Sequence, residues 1–136
     1  MPGMFKCNKQ CHLCPFIKET KEVKGNGVVW KINKKFNCET ENISYLIHCE
    51  KCNEQYIGET ERSLKERLGE HKTYIKSEKL NEATGEHFNK PGHSIEHLKV
   101  TVLEQIKQSD TLYRKERESY FIRKFNTFNR GINKKP

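Results

Sequence analysis

Long apolar runs are missing from this chain of 136 residues. No stretch approaches the ~18 consecutive apolar residues of a membrane-spanning helix, and Met1 to Ile17 has no apolar segment of signal-peptide type. Apolar side chains are scarce altogether: Leu, Ile, Val and Phe make up 30 of 136 residues, about 22%, just above the level of roughly 20% below which highly charged chains stay disordered. There is a single Trp, and acidic residues number only 18 against 26 basic ones, leaving a formal charge of +8. These shortages exclude a membrane partner and argue against a secreted disulfide scaffold. They leave an intracellular, one-domain chain with a thin core and a polyanionic partner. Cysteine is what the chain does have. Six thiols without a secretory address predict metal ligation, which would also cross-link a small core.

Charge is laid out in blocks. Residues 1–36 and 111–136 each carry about +6, whereas 37–61 carry about −5.

The pattern of elements is that of a small α/β (α+β) domain. Val23 to Trp30 sets an Asn-Gly turn between β-rich flanks and predicts a hairpin with a second strand near 28–33. Residues 42–48 alternate as a strand, Cys49 to Asn53 turns, and residues 54–58 return. Ser63 can cap a helix to about Ser77, with Leu64, Leu68 and Ile75 on one face. Arg67 and His71 fall on that face too, and a polar group inside an apolar stripe must find a partner. Pro91-Gly92 forces a turn after a short helix or loop. Residues 98–104 alternate as a third strand, and Asp110 caps a helix over Thr111 to Phe125. The prediction is a mainly antiparallel sheet of strands 43–48, 54–58 and 98–104, flanked by helices. Residues 1–37 form a cysteine-rich basic extension bearing its own hairpin, and 38–136 form the main domain.

Cys49-x2-Cys52 at a hairpin tip offers two thiolates to one tetrahedral ion, and His87-x5-His93, bent by Pro91-Gly92, offers two imidazoles. Together they make a Cys2His2 set for structural Zn2+. Cys7, Cys11, Cys14 and Cys38 then remain as a possible second zinc site. The competing pairing is a zinc ribbon of Cys11-x2-Cys14 with Cys49-x2-Cys52. Either arrangement is closed, with no coordination position left for a substrate.

Tyr45, within Ile43-Ser44-Tyr45, and Tyr56, within Tyr56-Ile57-Gly58-Glu59-Thr60, flank this knuckle. Downstream come Leu64-Lys65-Glu66-Arg67-Leu68 with His71 four residues past the arginine, then His87-Phe88-Asn89-Lys90-Pro91-Gly92-His93, Arg117-Glu118-Ser119-Tyr120-Phe121-Ile122 and Arg130-Gly131-Ile132-Asn133. Over about 38–133 this order resembles the GIY-YIG endonuclease family, and more narrowly the endonuclease domain of Penelope-like retroelements. The first motif lacks its glycine. The resemblance implies that Tyr45 and Tyr56 line the reaction centre, Arg67 contacts the scissile phosphate, and His71 lies beside it. It further implies that Glu118 holds one Mg2+ or Mn2+, and that Asn133 secures the site from the tail. It pairs Cys49 and Cys52 with His87 and His93 as a zinc site. On a helical wheel Glu116 rivals Glu118; the resemblance selects Glu118, next to Ser119-Tyr120-Phe121-Ile122.

That chemistry suits phosphodiester hydrolysis. Arg supplies permanent charge in a phosphate-matched fork, and a carboxylate is a hard ligand for a divalent ion. A tyrosine with an ordinary pKa near ~10 needs help to act as a base. The expectation is a DNA endonuclease, nuclear, that nicks to leave a 3′ hydroxyl and belongs to a protein with a covalently linked reverse transcriptase. A nucleic-acid-binding module with a dead active site, and more remotely an RNA-binding zinc ribbon, remain as alternatives.

Overall fold

In the computed structural model, which describes residues 1–107 and 109–136, ten strands and α-helices follow in order among the described residues. They are β1 (Gly3–Met4), β2 (Glu22–Gly25), β3 (Val28–Lys31), β4 (Lys35–Phe36), β5 (Glu41–Cys49), β6 (Gln55–Ser63), α1 (Leu64–Lys76), α2 (Ala83–His87), β7 (Leu98–Gln105) and α3 (Thr111–Phe125). The main sheet is antiparallel with order β6-β5-β7. Its central strand is the most apolar, with Ile43, Tyr45, Leu46 and Ile47 all buried. In register, Tyr45 lies opposite Gly58 and Val102, and Ile47 opposite Tyr56 and Val100. Directly opposed residues share a face, so both tyrosines project from the same side of the sheet.

α1 starts where Ser63 accepts a hydrogen bond from the Glu66 amide, and it buries Leu64, Leu68, His71 and Ile75 along one stripe. α3 is capped by Asp110, which accepts from the Tyr113 amide, and ends on Asn126 in the left-handed conformation. It packs on β6 and β5. The β2–β3 hairpin turns on Asn26 and Gly27, both at positive φ, the conformation a two-residue type I′ turn requires. It holds α3 at two points. Asn26 Nδ2 donates to the Phe125 carbonyl at the helix's C-terminus, 2.7 Å, and the Trp30 ring meets Phe121 edge-on at 4.9 Å. Trp30 also donates through Nε1 to the Leu103 carbonyl of β7, 2.9 Å.

β6 runs five residues past the predicted end at Gly58. The polar run Glu59 to Arg62 conceals it, because what Glu59 meets is charge: it receives Arg114 Nε at 2.6 Å and Lys115 Nζ at 3.2 Å, both from α3. Part of the acidic block is accounted for by partners elsewhere in the chain. Glu39 pairs with Lys9, Glu54 approaches His87, and Glu61 accepts from Ser109. Of the six acids in residues 37–61, Glu39 and Glu59 answer base from the two ends of the chain. Among the described residues no helix is long and apolar enough to cross a membrane.

Candidate active site and metal centres

β5 and β6 present Tyr45 and Tyr56, whose ring centroids are 6.5 Å apart. Gly58 permits this. A Cβ there would stand 2.4 Å from Tyr45 Cζ and Oη, so the ring crosses the place where any side chain would sit. Tyr45 is wholly buried and Tyr56 keeps part of its surface open. α1 supplies the next two groups. Arg67 Nε donates to Tyr45 Oη at 3.1 Å, its Nη1 to Glu70 at 2.6 Å, and His71 Nε2 lies 2.7 Å from Tyr45 Oη. On its far side, His71 Nδ1 is 2.7 Å from Thr84 Oγ1 of α2.

Burial sets the protonation states. It holds both phenols protonated, Tyr45 well above its usual range and Tyr56 at about 12, with the Arg67 charge pulling the other way. Burial, with Arg67 nearby, pushes His71 down to about 3, so the ring is neutral at pH 7. Burial also opposes charge on Arg67, but Tyr45, Glu70 and Tyr56 around it keep the guanidinium firmly protonated.

α3 brings Glu118 to this group. Burial raises its carboxyl, the neighbouring Glu59 raises it further, and Lys115 and Arg67 act in opposition. Glu116 points elsewhere and is exposed, lining a surface hollow with Leu112, Lys115, Ser119 and Arg123. A half-buried carboxyl that another carboxylate disfavours as an anion gains from a divalent cation, so Glu118 fits a hard-metal ligand.

Asn133 fastens the tail to β6. Its Oδ1 accepts from the Ile57 amide at 2.8 Å and from Thr127 Oγ1 at 2.6 Å, and its Nδ2 donates to the Ile57 carbonyl at 2.9 Å. The Ile132 amide adds a hydrogen bond to the Gln55 carbonyl. Gly131 makes the approach possible, since a Cβ there would fall 2.6 Å from Gln55 O.

Among the described residues two tetrads of potential metal ligands form, each with its ligand atoms within 4.8 Å of one another. One is Cys7, Cys11, Cys14 and Cys38; the other is Cys49, Cys52, His87 and His93. The ribbon pairing of Cys11 and Cys14 with Cys49 and Cys52 does not occur. In the first tetrad Cys14 Sγ lies 3.6, 3.8 and 3.9 Å from the sulfurs of Cys7, Cys11 and Cys38. Four sulfurs on a tetrahedron at Zn–S about 2.3 Å stand about 3.8 Å apart, and a disulfide needs about 2.05 Å. Backbone amide donors lower the Cys7 thiol to about 6, towards the thiolate a metal requires.

In the second tetrad Cys52 Sγ is 3.4 Å from His87 Nε2. His93 donates from Nδ1 to the Pro91 carbonyl, 3.3 Å, which leaves its Nε2 lone pair buried and without a hydrogen-bond partner among the described residues. Such an orphan, aimed among two thiols and an imidazole, fits a zinc ligand. Glu54 lies 3.6 Å from His87 Nδ1, the carboxylate that commonly orients a ligating imidazole. Thr84 and Glu54 escape a reading of the sequence, because neither sits in a periodic pattern and both act on groups far along the chain.

The model of the GIY-YIG catalytic domain matches residues 41–133, more than half of the chain. No curated protein matches. Among solved structures, "Structure of the Catalytic Domain of Homing Endonuclease I-TevI" superposes with a TM-score of 0.57 at 21% identity, covering 68% of this chain and 97% of that one. With the antiparallel sheet, its flanking helices and the paired tyrosines, the family match identifies the chain as a member of the GIY-YIG catalytic-domain family of DNA endonucleases.

Proposed function

We propose that this domain hydrolyses one DNA strand at a time, leaving a 3′ hydroxyl that primes reverse transcription, as in a Penelope-like retroelement. The full-length protein would then carry a covalently linked reverse transcriptase and work on nuclear DNA. Residues 38–136 are the nuclease proper and 1–37 its extension. The observation that carries the reading is the convergence of Tyr45, Tyr56, Arg67, His71 and Glu118 from four separate elements. The Penelope-like assignment draws its support from the second tetrad, built into the β5–β6 turn between the two tyrosine motifs.

Arg67 offers its guanidinium to the scissile phosphate and offsets the charge that builds on it. Tyr56, partly open, faces the DNA; Tyr45 behind it keeps Arg67 in place and shares a proton with His71. Glu118 holds Mg2+ or Mn2+, which when bound serves as a Lewis acid at the phosphate. Asn133 fixes the β6 edge beneath these groups. Both tetrads hold structural Zn2+ and keep the thin core in register.

Nicking of supercoiled plasmid with Mg2+ or Mn2+ tests the reading. Glu118→Ala and Tyr56→Phe should each reduce the rate by about 100-fold or more with DNA binding retained. Equal nicking by all three proteins would reject the assignment, and binding without nicking by any would favour the inactive module.

A further inference from the structure

We infer that Thr84 is a positioning residue for the Tyr45–His71 hydrogen bond and, through it, for Arg67, an inference that rests on the nuclease reading above. The chain of bonds begins at Arg67, whose Nε–H can only donate, and it donates to Tyr45 Oη at 3.1 Å. Arg67 cannot receive the phenolic proton of the wholly buried Tyr45, and His71 Nε2, 2.7 Å away, is its acceptor among the described residues. A neutral imidazole that accepts on Nε2 carries its proton on Nδ1, and Nδ1 stands 2.7 Å from Thr84 Oγ1. Thr84 and His71 are 1% and 2% exposed, so water does not compete for either nitrogen.

Thr84 therefore accepts from Nδ1–H and holds the Nε2 lone pair on Tyr45. Wholly buried behind Tyr56, Tyr45 does not meet the attacking water; anchored on His71, it holds the Arg67 guanidinium where the phosphate docks.

The placement of Thr84 is itself secured. Gly85 lets α2 lie against the preceding loop, since a Cβ there would meet the Lys79 carbonyl at 2.3 Å. Asn89 Nδ2 ties the carbonyl of Gly85 to that of Ile75 at the end of α1. His87, three residues on, joins the same short helix to the Cys49–Cys52 turn.

The test reads the tautomer directly. In 15N-labelled protein at pH 7, without DNA, His71 should show its proton on Nδ1. Thr84→Val should mix the two tautomers and lower the nicking rate by about 10-fold with zinc content and DNA binding unchanged. Thr84→Ser should restore both. A native spectrum with the proton on Nε2 overturns the inference without any variant, and so does a Thr84→Val protein with native tautomer and native rate. Absence of nicking from every protein counts against the nuclease reading alone, because the tautomer is read without DNA.

Discussion

Gly58 has no side chain because the Tyr45 ring occupies its place. Gly58→Ala should therefore displace Tyr45 from Arg67 and His71 and lower nicking by about 100-fold, while zinc content stays native; plasmid nicking and metal analysis check this. His71 carries a pH signature. Its pKa is about 3 in the folded protein against 6.5 in the unfolded chain. Between those values the unfolded chain binds a proton that the native state refuses, so stability rises with pH across that window. The contribution is complete above about 6.5 and is lost on acidification at up to about 1.4 kcal/mol per pH unit. Urea midpoints at pH 7.5 and 5 should differ less for His71→Gln than for the native protein. An identical difference would mean that the imidazole is not buried neutral.

Charge as well as apolar burial holds the elements together here. The nearly buried Arg114 joins α3 to β6 through Glu59, at 2.6 Å, and to Asn42 Oδ1, at 2.9 Å. Arg114→Met leaves Glu59 without its closest partner and should cost about 3 kcal/mol, visible as a lower urea midpoint. The same bridge sets where α3 lies, and so where Glu118 stands. Strands β2, β3, β5 and β7, both caps and the Asn-Gly hairpin are legible in the sequence, because alternation, Ser63, Asp110 and Asn26-Gly27 act on near neighbours, whereas the short β1 and β4, which carry no such pattern, are not. The second half of β6 is not, since its pairing partners and the arginine that neutralises Glu59 lie far along the chain. The site divides on the same line. Motif residues are visible as spacing, while Thr84, Glu54 and the choice of Glu118 over Glu116 depend on which helix face turns towards the sheet.

At the scale of the whole molecule, a chain short of apolar side chains brings together two tetrads of potential metal ligands among its described residues. One sets Cys38, just ahead of β5, beside three cysteines of the extension, and the other sets Cys49, at the end of β5, beside His87 of α2 and His93 of the following loop. Native protein should contain two Zn per chain. Cys49→Ser should lose one and lower Tm by roughly 10 °C, corresponding to about 3 kcal/mol at this size. Metal analysis with thermal melts checks both. The basic surplus of +8 gives DNA binding a salt dependence, and it is present in active and inactive proteins alike. Binding alone therefore does not distinguish a nuclease from a passive module. The most direct measurement is nicking of supercoiled plasmid in Mg2+ or Mn2+ by the native protein and by Glu118→Ala, purified in parallel and matched for zinc and for DNA affinity. Conversion to open circle by the native protein, with about 100-fold less by Glu118→Ala, is the predicted result. Equal conversion by the two proteins, or none by the native one, would contradict it.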